Sequence, residues 1–120
     1  MLNLDTHILL HALEGKLTAT ERRLLTAEAW GISAIVLWEI AKLTQLDRIT
    51  IDLNDIEFSR VFAKVHVWPL DIAVCRTSTE LDFASDPADE LIAATSIVHR
   101  ARLVTRDKKI RASKLVPIAR

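Results

Sequence analysis

The chain has one cysteine, two glycines, three prolines, no tyrosine and no surplus of charge of either sign in its 120 residues. A single cysteine, Cys75, excludes an internal disulfide and fits a reducing compartment. So few glycines and prolines, with no low-complexity run, leave little room for linkers, and residues 1–120 read as one domain. Lys plus Arg balances Asp plus Glu at 16 each, so net charge does not advertise a nucleic-acid partner and any basic surface has to be local. No basic stretch leading into a long apolar run opens the chain, and no apolar run reaches the roughly 18 residues of a membrane span. The expectation is a cytoplasmic protein with no membrane partner.

What is present is a regular alternation. Half the residues are apolar, enough for a sizeable core, and they fall into short apolar runs separated by helical patterns. Leu2 to Leu4 reads as a strand, followed by a helix through Thr6-His7-Ile8 that stops near Gly15. Thr18 with Glu21 makes a capping box for a helix to about Ala29. Ile32 to Ala34 is a strand candidate, and Ser33 can start a helix from Ile35 to about Leu46. A helix is expected from about Asp52 to Ala63 with Asp52 or Asn54 as cap, then a strand over Val65 to Trp68. Asp71 opens a helix to about Phe83, and Asp86-Pro87 opens the longest one, to about Arg100, because proline suits the first helical position. Leu103 to Thr105 is a strand, Lys108 to Ala112 a short helix, and Leu115 to Ile118 a last strand. Short, wholly apolar strands alternating with helices predict an α/β domain, a parallel sheet with helices on both faces.

Four acids stand out in this frame. Asp5, Asp89 and Asp107 lie where an apolar run stops and a helix begins, and in an open parallel sheet the ligand crevice lies at the carboxyl ends of the strands. Each also has a local explanation. Asp5 and Asp107 can cap the helices they precede, Asp86 has the Asp-Pro pattern of a helix start, and Asp89 would favour the positive end of that helix or complete a capping box. Glu39 caps nothing: it sits at i+4 from Ile35 and i−4 from Leu43, on an apolar stripe where a carboxylate needs a partner. Two carboxylates about 4 Å apart repel by roughly 4 kcal/mol at an effective dielectric of 20, so a cluster raises its pKa values unless a cation neutralises it. Oxygen ligands of this charge suit Mg²⁺ or Mn²⁺ rather than Zn²⁺, and such a site can activate a water against a phosphodiester.

In this order and at these distances LNLDTHILLHAL, ISAIVLWEIAKL, SDPADELIAATS and LVTRD resemble the PIN-domain ribonucleases, most closely the VapC-type toxins of bacterial toxin–antitoxin pairs. The resemblance covers nearly the whole chain. It implies a parallel sheet of about five strands flanked by helices. It further implies a Mg²⁺- or Mn²⁺-dependent endoribonuclease that leaves 5′-phosphate and 3′-hydroxyl ends, an antitoxin partner that covers the acidic crevice, and a homodimer. Asp5, Glu39, Asp89 and Asp107 fall on the family's acidic positions. Asp86 matches an additional acid of the Asp-Pro-x-Asp subgroup. Thr6 and Thr105 fall where the family has hydroxyl residues that can hold a carboxylate or a metal-bound water, and Arg106 reads either as a phosphate contact or as an exposed structural arginine. The chain departs from the pattern at His11, where an aromatic residue is frequent, at Ala88, where a large apolar one is, and at Glu90, where an arginine is. A glycine is also frequent near Asp47.

The remaining chemistry-bearing residues read as packing or surface. His7 and His11 have the i, i+4 spacing of a Zn²⁺ pair, but no cysteine accompanies them. His66 and His99 read as surface or packing residues. Cys75, Trp38 and Trp68 lie in strongly apolar patterns and are expected in the core, although tryptophans can stack on bases. Two other functions share the pattern: a PIN-like module that binds without cleaving, and a phosphoacceptor receiver domain. The receiver domain would need adjacent acids after the first strand, where LNLDT has one.

Overall fold

The apolar run at the start forms β1, Leu2–Leu4, at the centre of a four-stranded parallel sheet in a computed structural model that describes residues 1–120. Trp30–Ser33 (β2) pairs with one side of β1 and Arg102–Val104 (β4) with the other, while His66–Trp68 (β3) adds to the free side of β2. The order is therefore β3-β2-β1-β4. The chain builds outward in one direction through β3 and then returns to the far side of β1, so strand order reverses between β1 and β4. A crevice opens at such a reversal, beyond the carboxyl ends of the two strands. The expected fifth strand shrinks to one bridge between Leu103 and Ile118. Its neighbour Pro117 offers a carbonyl to Leu103 N but has no N–H of its own.

Seven helices cover the sheet: Thr6–Glu14 (α1), Ala19–Ala27 (α2), Ala34–Gln45 (α3), Ile56–Phe62 (α4), Ile72–Ser78 (α5), Pro87–His99 (α6) and Lys108–Arg111 (α7). Their starts follow local chemistry. Asp5, Ser33, Asp71 and Asp107 each accept a backbone N–H from the helix they precede, and Thr18 with Glu21 forms the full capping box. Gly15 ends α1 at a φ of 70°, a conformation that costs glycine nothing. Asp47, after α3, takes φ 56° without being glycine; asparagine and aspartate tolerate this region best after glycine.

Three helix details differ from expectation. The cap of α4 is Asp55, because Asp52 and Asn54 are used in a preceding turn in which Asp52 accepts from Asn54 N. Helix α5 stops at Ser78 rather than near Phe83. Ser78 and Thr79 turn their hydroxyls onto the carbonyls of Cys75 and Arg76, competing with continuation of the helix. Asp86 occupies the cap position of α6 without a side-chain bond.

The core lies between sheet and helices: Leu2, Leu4, Ile32 and Leu103 from the strands meet Ile8, Leu9, Val36, Ile40, Ile92 and Ile110 from the helices, all buried. Each such side chain contributes about 1.5–3 kcal/mol on burial. Trp68 joins it by lying across Gly31, where an added Cβ would stand 2.5 Å from the indole ring, so this strand position admits no side chain. Trp38 and Cys75 do not join it. Helix α3 buries Val36 and Ile40, and Trp38, two residues from either, points outward at 55% exposure. Cys75 follows the buried Val74 on α5 and is likewise exposed. No helix is long and apolar enough to cross a membrane.

Candidate active site

Asp5 leaves β1 at the crevice and is 6% exposed. Its Oδ1 accepts the Thr6 N–H at 2.8 Å and its Oδ2 the Thr105 hydroxyl at 2.6 Å. Thr105 follows β4 directly and its Oγ1 also accepts the Asp107 N–H at 3.1 Å, so one hydroxyl ties the ends of the neighbouring strands β1 and β4 together. Asp107 uses its Oδ1 to cap α7 through Lys109 and Ile110. Thr6, at the start of α1, donates its hydroxyl to Glu39 Oε1 at 2.5 Å, which answers the demand for a partner on the apolar stripe of α3. Asp89 stands in the first turn of α6 and accepts the Ser85 hydroxyl at 3.1 Å; it completes no capping box. The local explanations and the site thus coexist: Asp5 and Asp107 cap helices with one oxygen each and still face the crevice.

Burial and like charge shape the set. Burial, then the nearby Asp107, raises the pKa of Asp5 against the bonds from Thr105 and Thr6. Glu39 is raised by burial and by the charges of Asp89 and Asp5. Asp89 is raised by burial and by Asp5, with Asp107 and Asp86 adding to it. Asp5, Asp89 and Asp107, with His7, His11 and Arg106, line a cavity of about 320 Å³ that has no apolar side chain in its wall. Glu39 does not line it and joins the group through Thr6. Asp86 is exposed at the rim and acts on Asp89 through its charge.

The cavity's guanidinium does not neutralise these acids. Arg106 donates from Nε to Glu21 Oε2 at 2.8 Å and from Nη2 to Glu21 Oε1 at 2.6 Å, with a further bond to the Lys16 carbonyl. Through Nε and Nη2 it holds α2 against the β4–α7 turn, the structural role, while Nη1 makes no bond within the protein. Glu90 accepts the Ser85 N–H and joins no ion pair, so it keeps its charge beside the site. His11 Nδ1 is buried without a hydrogen-bond partner.

No three Asp, Glu, His or Cys side chains converge closely enough, as they stand, to hold a metal ion. The donor set fits a hard divalent ion: all oxygen, several carboxylates, each oriented by a hydroxyl or an N–H and none matched by a cation.

Two positioning residues carry little sequence signal. Asn3 is fully buried in β1 and donates from Nδ2 to the Ile92 carbonyl and the Ser96 hydroxyl, fastening β1, and so Asp5, to α6, and so Asp89. A lone amide inside an apolar strand was the available clue. Ser85 was hidden in front of the Asp-Pro start that it follows into the site.

A family model described as PIN domain matches residues 3–114. Ribonuclease VapC22 of Mycobacterium tuberculosis is 35% identical over 92 residues, 73% of this chain and 70% of that protein. Among solved structures, VapBC2 from Rickettsia felis bound to a promoter DNA fragment superposes with a TM-score of 0.75 at 19% identity, over 99% of this chain and 98% of that one. DNA-bound VapBC from Salmonella typhimurium gives 0.70 at 17% identity, over 99% and 98%.

Proposed function

The chain belongs to the PIN-domain family, and from that premise we propose that it is a VapC-type endoribonuclease, the toxin of a toxin–antitoxin pair, dependent on Mg²⁺ or Mn²⁺. The reading rests on one observation above others: three acids from three different elements, Asp5, Glu39 and Asp89, raise one another's proton affinity, and the protein sets no lysine or arginine against them, only the nearby His7 easing Asp5 and Glu39. Such shifts gather at functional sites. Asp5, Glu39, Asp89 and Asp107 are the residues that would hold the divalent ion, which supplies the missing positive charge and lowers the pKa of water for attack on phosphorus. The chain's own groups do the rest. Thr105, Thr6 and Ser85 fix the carboxylates of Asp5, Glu39 and Asp89 in orientation, and the cap bonds of Asp107 occupy only its Oδ1.

The substrate on this reading is RNA, and the partner is an antitoxin protein whose segment enters the same polar cavity, by analogy with the VapBC complexes that share the fold. A homodimer and a cytoplasmic setting belong to the same proposal. The open spacing of the acids favours a second reading, a module that binds RNA without cutting it. One assay separates the two: purified chain with RNA, with Mn²⁺ or with EDTA, alongside Asp89→Asn. Cleavage that needs the ion and vanishes in the variant is expected; cleavage in EDTA, or in the variant, overturns the assignment.

A further inference from the structure

Arg106 and Thr105 stand between two cavities. Beside the acidic one is a second, of about 340 Å³, framed by the start of α2, the end of β4, α7 and the C-terminal segment. Its wall carries Arg106, Lys108, Arg111 and Arg120 against the one carboxylate of Glu21, which Arg106 already neutralises. In a chain of zero net side-chain charge this is a local excess of three cationic side chains. Three of the four also bond within the protein: Arg106 to Glu21, Arg111 to the Thr105 carbonyl at 3.0 Å, and exposed Arg120, through Nη2 alone, to the Arg111 carbonyl at 3.3 Å. Lys108 makes no such bond. It is exposed at the first residue of α7 and joins no ion pair.

We infer that this cleft takes the phosphodiester backbone of single-stranded RNA beside the point of cleavage, with Lys108 and Arg120 on its phosphates; the inference rests on the ribonuclease reading above. A nucleic-acid strand carries one charge about every 3.4 Å, so an RNA crossing the acidic cavity must place several phosphates outside it. Those phosphates are repelled by Asp5, Asp89 and Asp107 and attracted by the neighbouring wall, which begins one residue away. Thr105 makes the junction, its hydroxyl bound to Asp5 while the residue lines the cationic cleft. A peptide fits the wall less well. Only Leu24, Val104 and Ala119 are apolar there, and Val104 and Ala119 are buried, so an apolar anchor finds little to grip.

The test is binding of labelled single-stranded RNA in EDTA, followed over a range of salt, together with cleavage in Mn²⁺. The proteins are the wild type, Lys108→Gln, Lys108→Glu, the Lys108→Gln/Arg120→Gln pair, and Lys64→Gln, which precedes β3 at the opposite end of the sheet. Each cleft cation removed is expected to weaken binding about two- to fivefold. It should also reduce the slope of log K against log salt by about 0.7. In cleavage the loss appears in KM rather than kcat, and Lys64→Gln matches the wild type. Because an acid in the first turn favours a helix, a loss in Lys108→Glu is not unfolding of α7. Wild-type cleavage together with unaltered slope and KM in the cleft variants overturns the inference alone. A wild type that binds RNA with the cleft-dependent slope yet cuts none in Mn²⁺ removes the ribonuclease reading and leaves the cleft.

Discussion

Asp5 and Glu21 are almost equally buried, 6% and 8% exposed, and the protein treats them in opposite ways. Glu21 receives two bonds from the Arg106 guanidinium and one from Thr18 N, and its pKa falls to about 2. Asp5 has no guanidinium; burial first, then the charge of Asp107, raises its pKa against a hydroxyl, an N–H and the nearby His7. Burial of a carboxylate therefore says little about function by itself. The absence of a matching cation does, because a fold selected for stability alone would supply one, as it does for Glu21.

The sharpest way to break the comparison is Asp5→Asn. An amide keeps the Thr6 N–H bond through its oxygen and faces the Thr105 hydroxyl with its nitrogen, so the fold should hold. Cleavage of RNA should fall about a thousandfold, the loss of several kcal/mol of charge stabilisation in the transition state. Stability should move the other way. A carboxyl with a raised folded pKa contributes stability that is complete below its ordinary value of 3.8 and is lost as pH rises through the folded value, so at neutral pH its charge is a burden. The variant should melt higher than the wild type without divalent ions at pH 7. A lower melting temperature would show that Asp5 is primarily a structural cap.

Thr6→Val tests the same region one step out. It removes the donor to Glu39 Oε1 and keeps the shape, and support of this kind to a ligand is worth about 10- to 100-fold in activity or metal affinity. Mn²⁺ titration should show the weakened binding. Unchanged affinity would mean that Glu39 acts independently of its orientation by Thr6.

What could be read in the chain beforehand divides along the same line. Caps are written within a few residues, and so Asp5, Thr18 with Glu21, Ser33, Asp71 and Asp107 were legible, as was the order of strands and helices that brings the ends of β1 and β4 together. Contacts between distant residues were not. Arg106 stood in a motif beside an acid, and its partner Glu21 lies 85 residues earlier, already explained as half of a capping box. Apolar periodicity marked the helices holding Trp38 and Cys75 but not which side meets the sheet, and both proved exposed. The four candidate acids were visible as a set because they stand in four motifs at set distances; that Ser85 bonds Asp89 and Asn3 fastens β1 to α6 had no pattern to announce it.

Turning to the matched carboxylate, Arg106→Gln leaves Glu21 buried with its charge and without its cation. That should cost about 1–3 kcal/mol at pH 7, seen in denaturant unfolding. The sign with pH is fixed by the depressed pKa of Glu21: its contribution is present above the ordinary value of 4.5 and is lost as pH falls toward about 2. The gap between wild type and variant should therefore be widest near neutrality and close across that acid range. A gap that persists at pH 2 would assign the loss to the Lys16 carbonyl contact instead.

The smallest effect is expected from Glu21→Gln. The amide oxygen can still accept the Thr18 N–H, so the helix cap survives, and what disappears is the attraction to a guanidinium that is itself 41% exposed. Solvent screens such a pair, and the loss should stay within about 1 kcal/mol. RNA cleavage should hold, since the acids of the crevice keep their partners. The useful reading is relative: if Glu21→Gln lowered cleavage as far as Thr6→Val does, Arg106, released from its bridge, would be disturbing the cavity it lines, and the separation between a carboxylate that stabilises and carboxylates that react would fail at their shared residue.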